Sequence, residues 1–85
     1  MISVKVKIDN IEGLHARPAS RLVKLCHRFD SSIVISSQEM EADGKNITEV
    51  LSLSAEMGRT LTIGIKGKDE EKTEKAILKF FSGVE

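Results

Sequence analysis

The chain has 85 residues, and its 13 lysine and arginine residues balance 13 aspartate and glutamate residues, so the formal net charge is zero. This length suits one domain, which we expect to span residues 1–85. A neutral chain lacks the basic excess that neutralises nucleic-acid phosphates. Without Trp or Tyr it also lacks an aromatic platform for stacking bases. The composition therefore argues against a nucleic-acid partner.

Cysteine usage and the apolar runs indicate the compartment. Cys26 is the only cysteine in the sequence, so no internal disulfide can form. The longest clean apolar run, residues 33–35, is far too short to span a bilayer. Residues 1–5 alternate in polarity and lack the basic-then-apolar layout of a signal peptide. We expect a cytoplasmic protein with no membrane insertion.

The first two predicted elements are a strand and a helix. Residues 2–8 alternate between apolar and polar side chains, the period of a half-buried strand. From Ala16 the apolar period becomes helical, and Pro18 fits the first turn, where its missing N–H removes no helical bond. We expect His27 and Arg28 in the last turn, where the helix dipole favours cations. The apolar stripe consists of Ala19, Leu22, Val23 and Cys26.

Two short strands and a second helix are predicted next. Residues 33–35 and 40–42 are the strands. Asn46 is a favoured N-cap, and Glu49 three residues later completes a pair similar to a capping box. Val50, Leu51 and Leu53 would supply the apolar contacts of this helix.

The last predicted elements are a strand over residues 60–66 and a helix capped by Asp69. The stripe of that helix is formed by Thr73, Ala76, Ile77 and Phe80. The order is therefore β-α-β-β-α-β-α. Because each strand has one apolar face, we expect an antiparallel sheet with helices on one side only. The predicted fold class is α+β, a two-layer sandwich.

The segment 13–20, Gly-Leu-His-Ala-Arg-Pro-Ala-Ser, is the candidate site. His15 directly precedes a helix start, where unpartnered N–H groups carry about half a positive charge. The amides of Ala16 and Arg17 would face a group on the His15 ring, and the Arg17 guanidinium adds a cation that suits phosphate. A nucleophilic imidazole beside an anion site predicts a transient phosphoryl carrier.

The same positive field acts on the unmodified ring. It disfavours the imidazolium, so we predict a pKa of His15 below the usual value of about 6.5. A phosphoryl group of about −2 charge would instead be stabilised, by roughly 0.3–2 kcal/mol. Such a modest gain allows the group to be released as well as accepted.

This string resembles the active-site signature of the histidine-containing phosphocarrier (HPr) family of the bacterial phosphoenolpyruvate-dependent sugar phosphotransferase system, and the resemblance covers the whole chain. It implies an open-faced sandwich whose four antiparallel strands have the order 1-4-2-3, with three helices on one face. It also implies that His15 accepts a phosphoryl group on Nδ1 from enzyme I and passes it to sugar-specific IIA proteins. Arg17 would assist, and the chain would act as a stoichiometric carrier rather than an enzyme, with no cofactor.

The resemblance also implies a partner-binding surface on the first two helices. Its residues would be Ala16, Arg17, Ser20, Lys24, Ile47, Thr48 and Leu51. A monomer is the expected state.

Four positions, one of them Glu12, depart from the family's pattern. Asn46 stands where many Gram-positive members carry a regulatory serine, so we expect that regulation to be absent. Thr48 replaces a large apolar residue that would contribute roughly 1.5–3 kcal/mol if buried at an interface. Glu49 adds negative charge beside the docking surface. Partner choice is therefore left open.

Several alternatives accompany this interpretation. The chain could be a regulatory phosphocarrier of a nitrogen-related or other non-sugar branch, or an interaction module that carries no phosphate. A metal site of His15, Cys26 and His27 fails on geometry, since eleven helical residues separate His15 from Cys26 by about 16 Å. Cys26 is expected to be a packed thiol. Lys24 and Lys45 are either ordinary surface charges or residues that steer an acidic partner.

Overall fold

A computed structural model describes residues 1–8 and 16–82 of the chain. The strands and helices follow the predicted order β-α-β-β-α-β-α. They are β1 Ile2–Lys7, α1 Ala16–Cys26, β2 Ser32–Ser37, β3 Met40–Asp43, α2 Ile47–Ser52, β4 Thr60–Lys66 and α3 Glu70–Phe81.

The four strands form one antiparallel sheet in the order β1-β4-β2-β3, which confirms the expected fold class. Side chains alternate across the sheet as the period of two requires: Ile33 and Ile35 are buried, while the intervening Val34 is 39% exposed. The helices pack on the buried face, with α3 against β1 and β4 and α2 against β3. The other face carries the polar members of each strand together with Val34 and Gly64.

The core lies between the sheet and the helices. Strand β4 contributes Leu61, Ile63 and Ile65, all completely buried, and α1 contributes Ala19 and Leu22. A fully buried side chain of this size stabilises the fold by about 1.5–3 kcal/mol. The apolar stripe predicted for α1 is therefore the face that anchors this helix and fixes the position of its first turn.

Cys26 belongs to the same core, as predicted. Its side chain is completely buried, and desolvation raises the pKa of the thiol to about 12, although Lys45 acts in the opposite direction. Gly44 lies directly against this region, because a Cβ at that position would come within 3.2 Å of Cys26 Sγ and 2.9 Å of Ile33 Cγ2. Close approach of the chain to a full core explains the glycine.

Two details of the helices differ from the sequence predictions. Helix α1 ends at Cys26, so His27 and Arg28 lie just beyond its last turn, and Lys24 is the cation inside that turn. Val50 of α2 and Leu53, the residue directly after the helix, are buried as expected, but Leu51 is 39% exposed. Position 51 falls on the solvent side of the short helix, away from the core.

Asp69 occupies the N-cap position of α3, but its side chain does not cap the helix. Its carboxylate instead accepts hydrogen bonds from the Asp30 N–H at 2.9 Å, the Ser31 N–H at 3.0 Å and the Ser31 hydroxyl. These bonds, with the Ser31 hydroxyl contributing most, lower the pKa of Asp69 to about 2. Asp69 therefore ties the loop after α1 to the start of α3, which the sequence pattern could not reveal.

Candidate functional site

His15, the predicted phosphoryl acceptor, lies outside the described residues, as does Glu12. The described part of the candidate site begins with the first residue of α1. Ala16 and Arg17 are both exposed there, and Pro18 is half-buried in the first turn as predicted. The residue next to His15 in the chain is thus the solvent-accessible start of an eleven-residue helix.

The electrostatics of this helix start favour an anion. The first N–H groups of any α-helix have no partner within the helix, and the aligned peptide dipoles give that end a partial positive charge. Helix α1 has no acidic residue in its first turn, so its own side chains do not neutralise this charge. The exposed Arg17 adds a full positive charge. The arrangement can bind a phosphate or carboxylate group presented from the preceding residue.

The start of α2 is organised differently. Asn46 is its N-cap, and the side-chain oxygen of Asn46 accepts a hydrogen bond from the Glu49 N–H at 3.1 Å, as the sequence predicted. The Glu49 carboxylate accepts from the Asp43 N–H at 2.8 Å and lies 3.4 Å from Asn46 Nδ2. The pair therefore holds the β3–α2 turn and satisfies the helix start internally.

The predicted partner-binding residues lie on two helices that pack against each other. Ala16, Arg17, Lys24 and Thr48 are exposed, and Ser20 is half-buried. Ile47 and Leu51 are 38% and 39% exposed, and their spacing of four residues puts them on one face of α2. An accessible apolar pair beside an accessible basic helix is a surface that can dock another protein.

Lys45 has a structural role. Its ammonium group donates a hydrogen bond to the Phe29 carbonyl at 2.7 Å, and its own carbonyl lies 2.8 Å from His27 Nε2. These contacts join the end of α1 to the start of α2. His27 is thus a link between the two helices. Of Lys24 and Lys45, the two lysines that the sequence offered for steering an acidic partner, Lys24 is the exposed one.

Arg21 is a further cation of α1 that the sequence pattern did not single out, and it lies near Arg28, which follows the end of the helix. Arg21 and Arg28 are exposed and, with Lys24 and Leu25, line a shallow depression of about 370 Å³. For Arg21 the spacing of positions 17, 21 and 24 was the available signal, because residues three or four apart share a helix face. The basic character of α1 therefore extends from Arg17 to beyond the end of the helix.

Neither a membrane span nor a metal cluster is found in the part of the chain that the structure describes. No helix in residues 1–8 and 16–82 is long and apolar enough to cross a bilayer. The His, Cys, Asp and Glu side chains of the same residues form no group of three or more that could hold a metal ion.

The strand order with all helices on one face makes the chain an open-faced β-sandwich, and the exposed start of α1 with Arg17 gives it a candidate anion site. The family model described as "PTS HPr component phosphorylation site" matches residues 2–82. The chain belongs to the HPr family of phosphocarriers.

Individual relatives carry more than one name. The phosphocarrier protein HPr of Treponema pallidum is 33% identical over 81 residues, covering 95% of this chain and 92% of the relative. The phosphocarrier protein NPr of Escherichia coli is 32% identical over 78 residues, covering 91% and 87%. HPr and NPr are thus about equally similar to this chain.

Solved structures give the same fold. The crystal structure of HPr from Thermoanaerobacter tengcongensis has a TM-score of 0.94 at 31% identity and covers 99% of this chain and 94% of that one. Bacillus subtilis Crh, a catabolite repression protein solved as a domain-swapped dimer, has a TM-score of 0.78 at 26% identity, with 99% and 97% covered. Oligomeric state therefore varies among proteins of this fold.

Proposed function

We propose that the chain is one domain, residues 1–85, that carries phosphoryl groups in a phosphoenolpyruvate-dependent sugar phosphotransferase system of the cytoplasm. His15 accepts the group from enzyme I and passes it to sugar-specific IIA proteins. The observation that carries this proposal is the start of α1, exposed, free of acidic residues and followed by Arg17. The family match over residues 2–82 supports it.

The chemistry needs only groups of the chain. The Nδ1 lone pair of the neutral His15 ring attacks phosphorus, the new P–N bond forms as the bond to the donor breaks, and the donor keeps that electron pair. The unpartnered amides of Ala16 and Arg17 and the Arg17 guanidinium stabilise the charge on the phosphoryl oxygens. Transfer to a IIA protein reverses these events with a different nucleophile.

The surface of α1 and α2 supports the partner part of the proposal. Arg17 and Lys24 supply positive charge, and Ile47 and Leu51 supply apolar area. Such a surface attracts an acidic partner at long range and buries apolar side chains on contact. The same surface serves donor and acceptor, because both must reach His15.

Incubation with enzyme I and phosphoenolpyruvate tests the proposal. Mass spectrometry at neutral pH should detect one added phosphate, and the modification should be lost in His15→Ala and slowed in Arg17→Ala. Lys72→Ala is the matched control, because Lys72 is an exposed cation on α3. Full phosphorylation of His15→Ala would contradict the assignment of the acceptor.

A second candidate is a nitrogen-related or other non-sugar branch, favoured by the similarity to NPr and by Thr48. Thr48 is exposed on the docking surface, where a larger apolar side chain would bury more area. Transfer from the phosphorylated protein to a panel of sugar and nitrogen IIA proteins distinguishes the branches. Faster transfer to a nitrogen IIA protein than to the sugar IIA proteins would reject the assignment to the sugar branch. The chain would still be a phosphoryl carrier.

A third candidate, an interaction module that carries no phosphate, makes a different prediction. Its binding to partners would be the same in wild type and in His15→Ala.

Asn46, which caps α2 with its side-chain amide, has no hydroxyl group, so we propose that serine phosphorylation is absent at this position. Incubation with a protein kinase and ATP that modified this helix start would contradict that part.

A further inference from the structure

The sheet face opposite the helices is covered by no element among the described residues, and its charges are separated across the strands. The strand register arranges its residues in rows. One row consists of Lys5, Thr62, Ser36 and Glu41, and the next of Ser3, Gly64, Val34 and Asp43. The cations, which also include Lys7 and Lys66, are confined to β1 and β4, and the carboxylates to β3.

Gly64 lies in the middle of the central strand β4, and nothing in the described part of the fold requires a glycine there. Its φ is not positive, and the pairing with β1 and β2 runs through it without a bulge. Among the described residues, a Cβ at this position would meet only Met1 Cε, at an ordinary 3.8 Å. Glycine inside a strand often marks a bulge, a tight bend or a place where a ligand or another backbone approaches closely, and the regular pairing at Gly64 leaves the close approach as the one of these that fits. The glycine leaves a hollow on the exposed face.

A large side chain stands next to this hollow. Val34 pairs with Gly64 from the neighbouring strand β2 and is 39% exposed. A two-fold axis could run parallel to the strands, just above the middle of the exposed face. Rotation about this axis would place a second copy face to face with the first, with β2 of the second copy over β4 of the first and β1 of the second over β3 of the first. Each Val34 would then lie over the Gly64 hollow of the other copy, and each Lys5 over the other Glu41, because both pairs share a row.

We propose that two copies of this chain associate through these sheet faces. Two copies bring together opposite charges at both ends of the row formed by Lys5, Thr62, Ser36 and Glu41, whereas a uniformly charged partner would meet like charge on one half of the face. Packed sheets are separated by about 10 Å and crossed by about 30°. The central Val34 and Gly64 contacts are retained under that rotation, and the long Lys5 side chain spans the remaining gap.

The size of the face makes this dimer weak. Four strands about 4.8 Å apart, each about six residues long, offer roughly 300–400 Å² per copy. A stable interface buries about 800 Å² per partner, so the dimer forms only at high concentration. The helices lie on the other side of the sheet, so the start of α1 stays accessible in both copies.

Diffusion of the full chain, measured by NMR from micromolar to millimolar concentration at low salt, tests association directly. The diffusion coefficient should fall as concentration rises, with amide shift changes concentrated in β2 and β4. Added salt should reduce the effect, because it screens the Lys5 and Glu41 pairs. Concentration-independent diffusion and shifts would overturn the proposal.

Charge reversal tests the geometry. Lys5→Glu and Glu41→Lys should each weaken self-association about tenfold, since each creates two like-charge contacts per dimer. An equimolar mixture of the two variants should recover association, because each heterodimer again pairs opposite charges at both places. Lys72→Glu on α3 is the matched control and should associate like the wild type. Failure of the mixture to recover would overturn the proposed arrangement.

Gly64→Val tests the hollow. The variant should lose self-association, while its circular dichroism and unfolding midpoint report that it still folds. We expect folding because a Cβ at this position meets only the exposed Met1 side chain, at an ordinary 3.8 Å, among the described residues. Association that survives in the folded variant would overturn the Val34 contact. Phosphoryl acceptance by Lys5→Glu should equal that of the wild type, so this test is independent of the proposed function.

Discussion

The starts of the two long helices are built in opposite ways. The first turn of α3 contains Glu70 and Glu71, and the carboxylate of Glu70 accepts a hydrogen bond from the Gly67 N–H at 3.1 Å. The first turn of α1 contains no acid and carries the exposed Arg17. The first turn of α3 thus offsets the positive end of its helix with its own side chains, whereas the first turn of α1 has no acidic side chain to do so.

This difference has an energetic meaning. An acidic side chain in a first turn contributes typically 0.3–1 kcal/mol of stability, which α1 forgoes. A phosphoryl group on His15 would bring more negative charge to the same place. The short helix α2 follows the pattern of α3, because Asn46 and Glu49 complete its start. The helix start that follows His15 in the chain is the one without such acids.

The largest expected effect concerns Asp69, beside the start of α3. Asp69→Asn cannot accept three hydrogen bonds, so the loop holding Ser31 should detach and the urea midpoint of unfolding should fall strongly at neutral pH. Ser31→Ala should lower the midpoint less, because it removes only the hydroxyl bond. Asp30→Asn, a neighbouring carboxylate with an exposed side chain, is the matched control for charge and should change little.

The unfolding midpoint of the wild type should depend more strongly on pH than that of Asp69→Asn. The pKa of Asp69 is about 2 in the folded chain and about 4 in an unfolded one, so its stabilisation is complete above pH 4 and is lost as pH falls toward 2. The wild-type midpoint should fall across this range, and the fall should be smaller in Asp69→Asn. Hydrogen bonds from the N-terminal ammonium group and the Gly67 N–H also lower the pKa of Glu70, so part of the fall remains. Equal slopes in both proteins would contradict the role of Asp69.

Gly67→Ala should have the next largest effect. A Cβ at Gly67 would lie 2.6 Å from Ser31 Cα, and the residue has a φ of +156°. We expect a loss of about 3 kcal/mol in the free energy of unfolding. Gly58→Ala distinguishes the steric clash with Ser31 from backbone strain, because Gly58 has a φ of +90° but open space around it. This variant should lose about 1 kcal/mol in the free energy of unfolding. Equal losses in the two variants would exclude the contact with Ser31 as the cause.

Asn46→Ala should cost about 1 kcal/mol, since it removes the N-cap of α2. Asn46→Ser keeps an oxygen that can accept from the Glu49 N–H and should be nearly neutral. Urea unfolding of the two variants measures the difference. If the alanine variant were as stable as the serine variant, the capping hydrogen bond would contribute nothing.

The smallest effect would be produced by giving α1 the acid that α3 already has. Ala16→Glu should stabilise the fold by about 0.3–1 kcal/mol, raise the pKa of His15 in an NMR titration, and slow phosphorylation about two- to fivefold. Ala16→Gln is the control of equal size without charge. A glutamate variant phosphorylated at the wild-type rate would argue against an anion site at this helix start.

The sequence predicted features that depend on local pattern. Alternation identified β1 and β4, and the pair Asn46 and Glu49 identified the start of α2, because both patterns act within a few residues. The strand order came from the resemblance to a known family and is confirmed. Periodicity alone could not supply it, since pairing joins distant segments.

Contacts between distant segments were not predictable in this way. Asp69 looks like a helix cap in the sequence, yet its partners are 38 and 39 residues away. Lys45 looks like a surface cation, but its ammonium group satisfies the Phe29 carbonyl. Both side chains satisfy backbone groups that only the folded chain brings near them. The role of His15 stays a prediction, because that residue lies outside the described part of the chain.

The buried thiol of Cys26 has a practical consequence for labelling. A pKa of about 12 leaves almost no thiolate at neutral pH, and thiolate is the form that reacts with maleimides and spin-label reagents. The native cysteine can therefore remain in place while a single cysteine is introduced on the sheet or on α2 for attachment of a probe. Distance measurements between such probes could then follow docking in a chain whose core is unaltered.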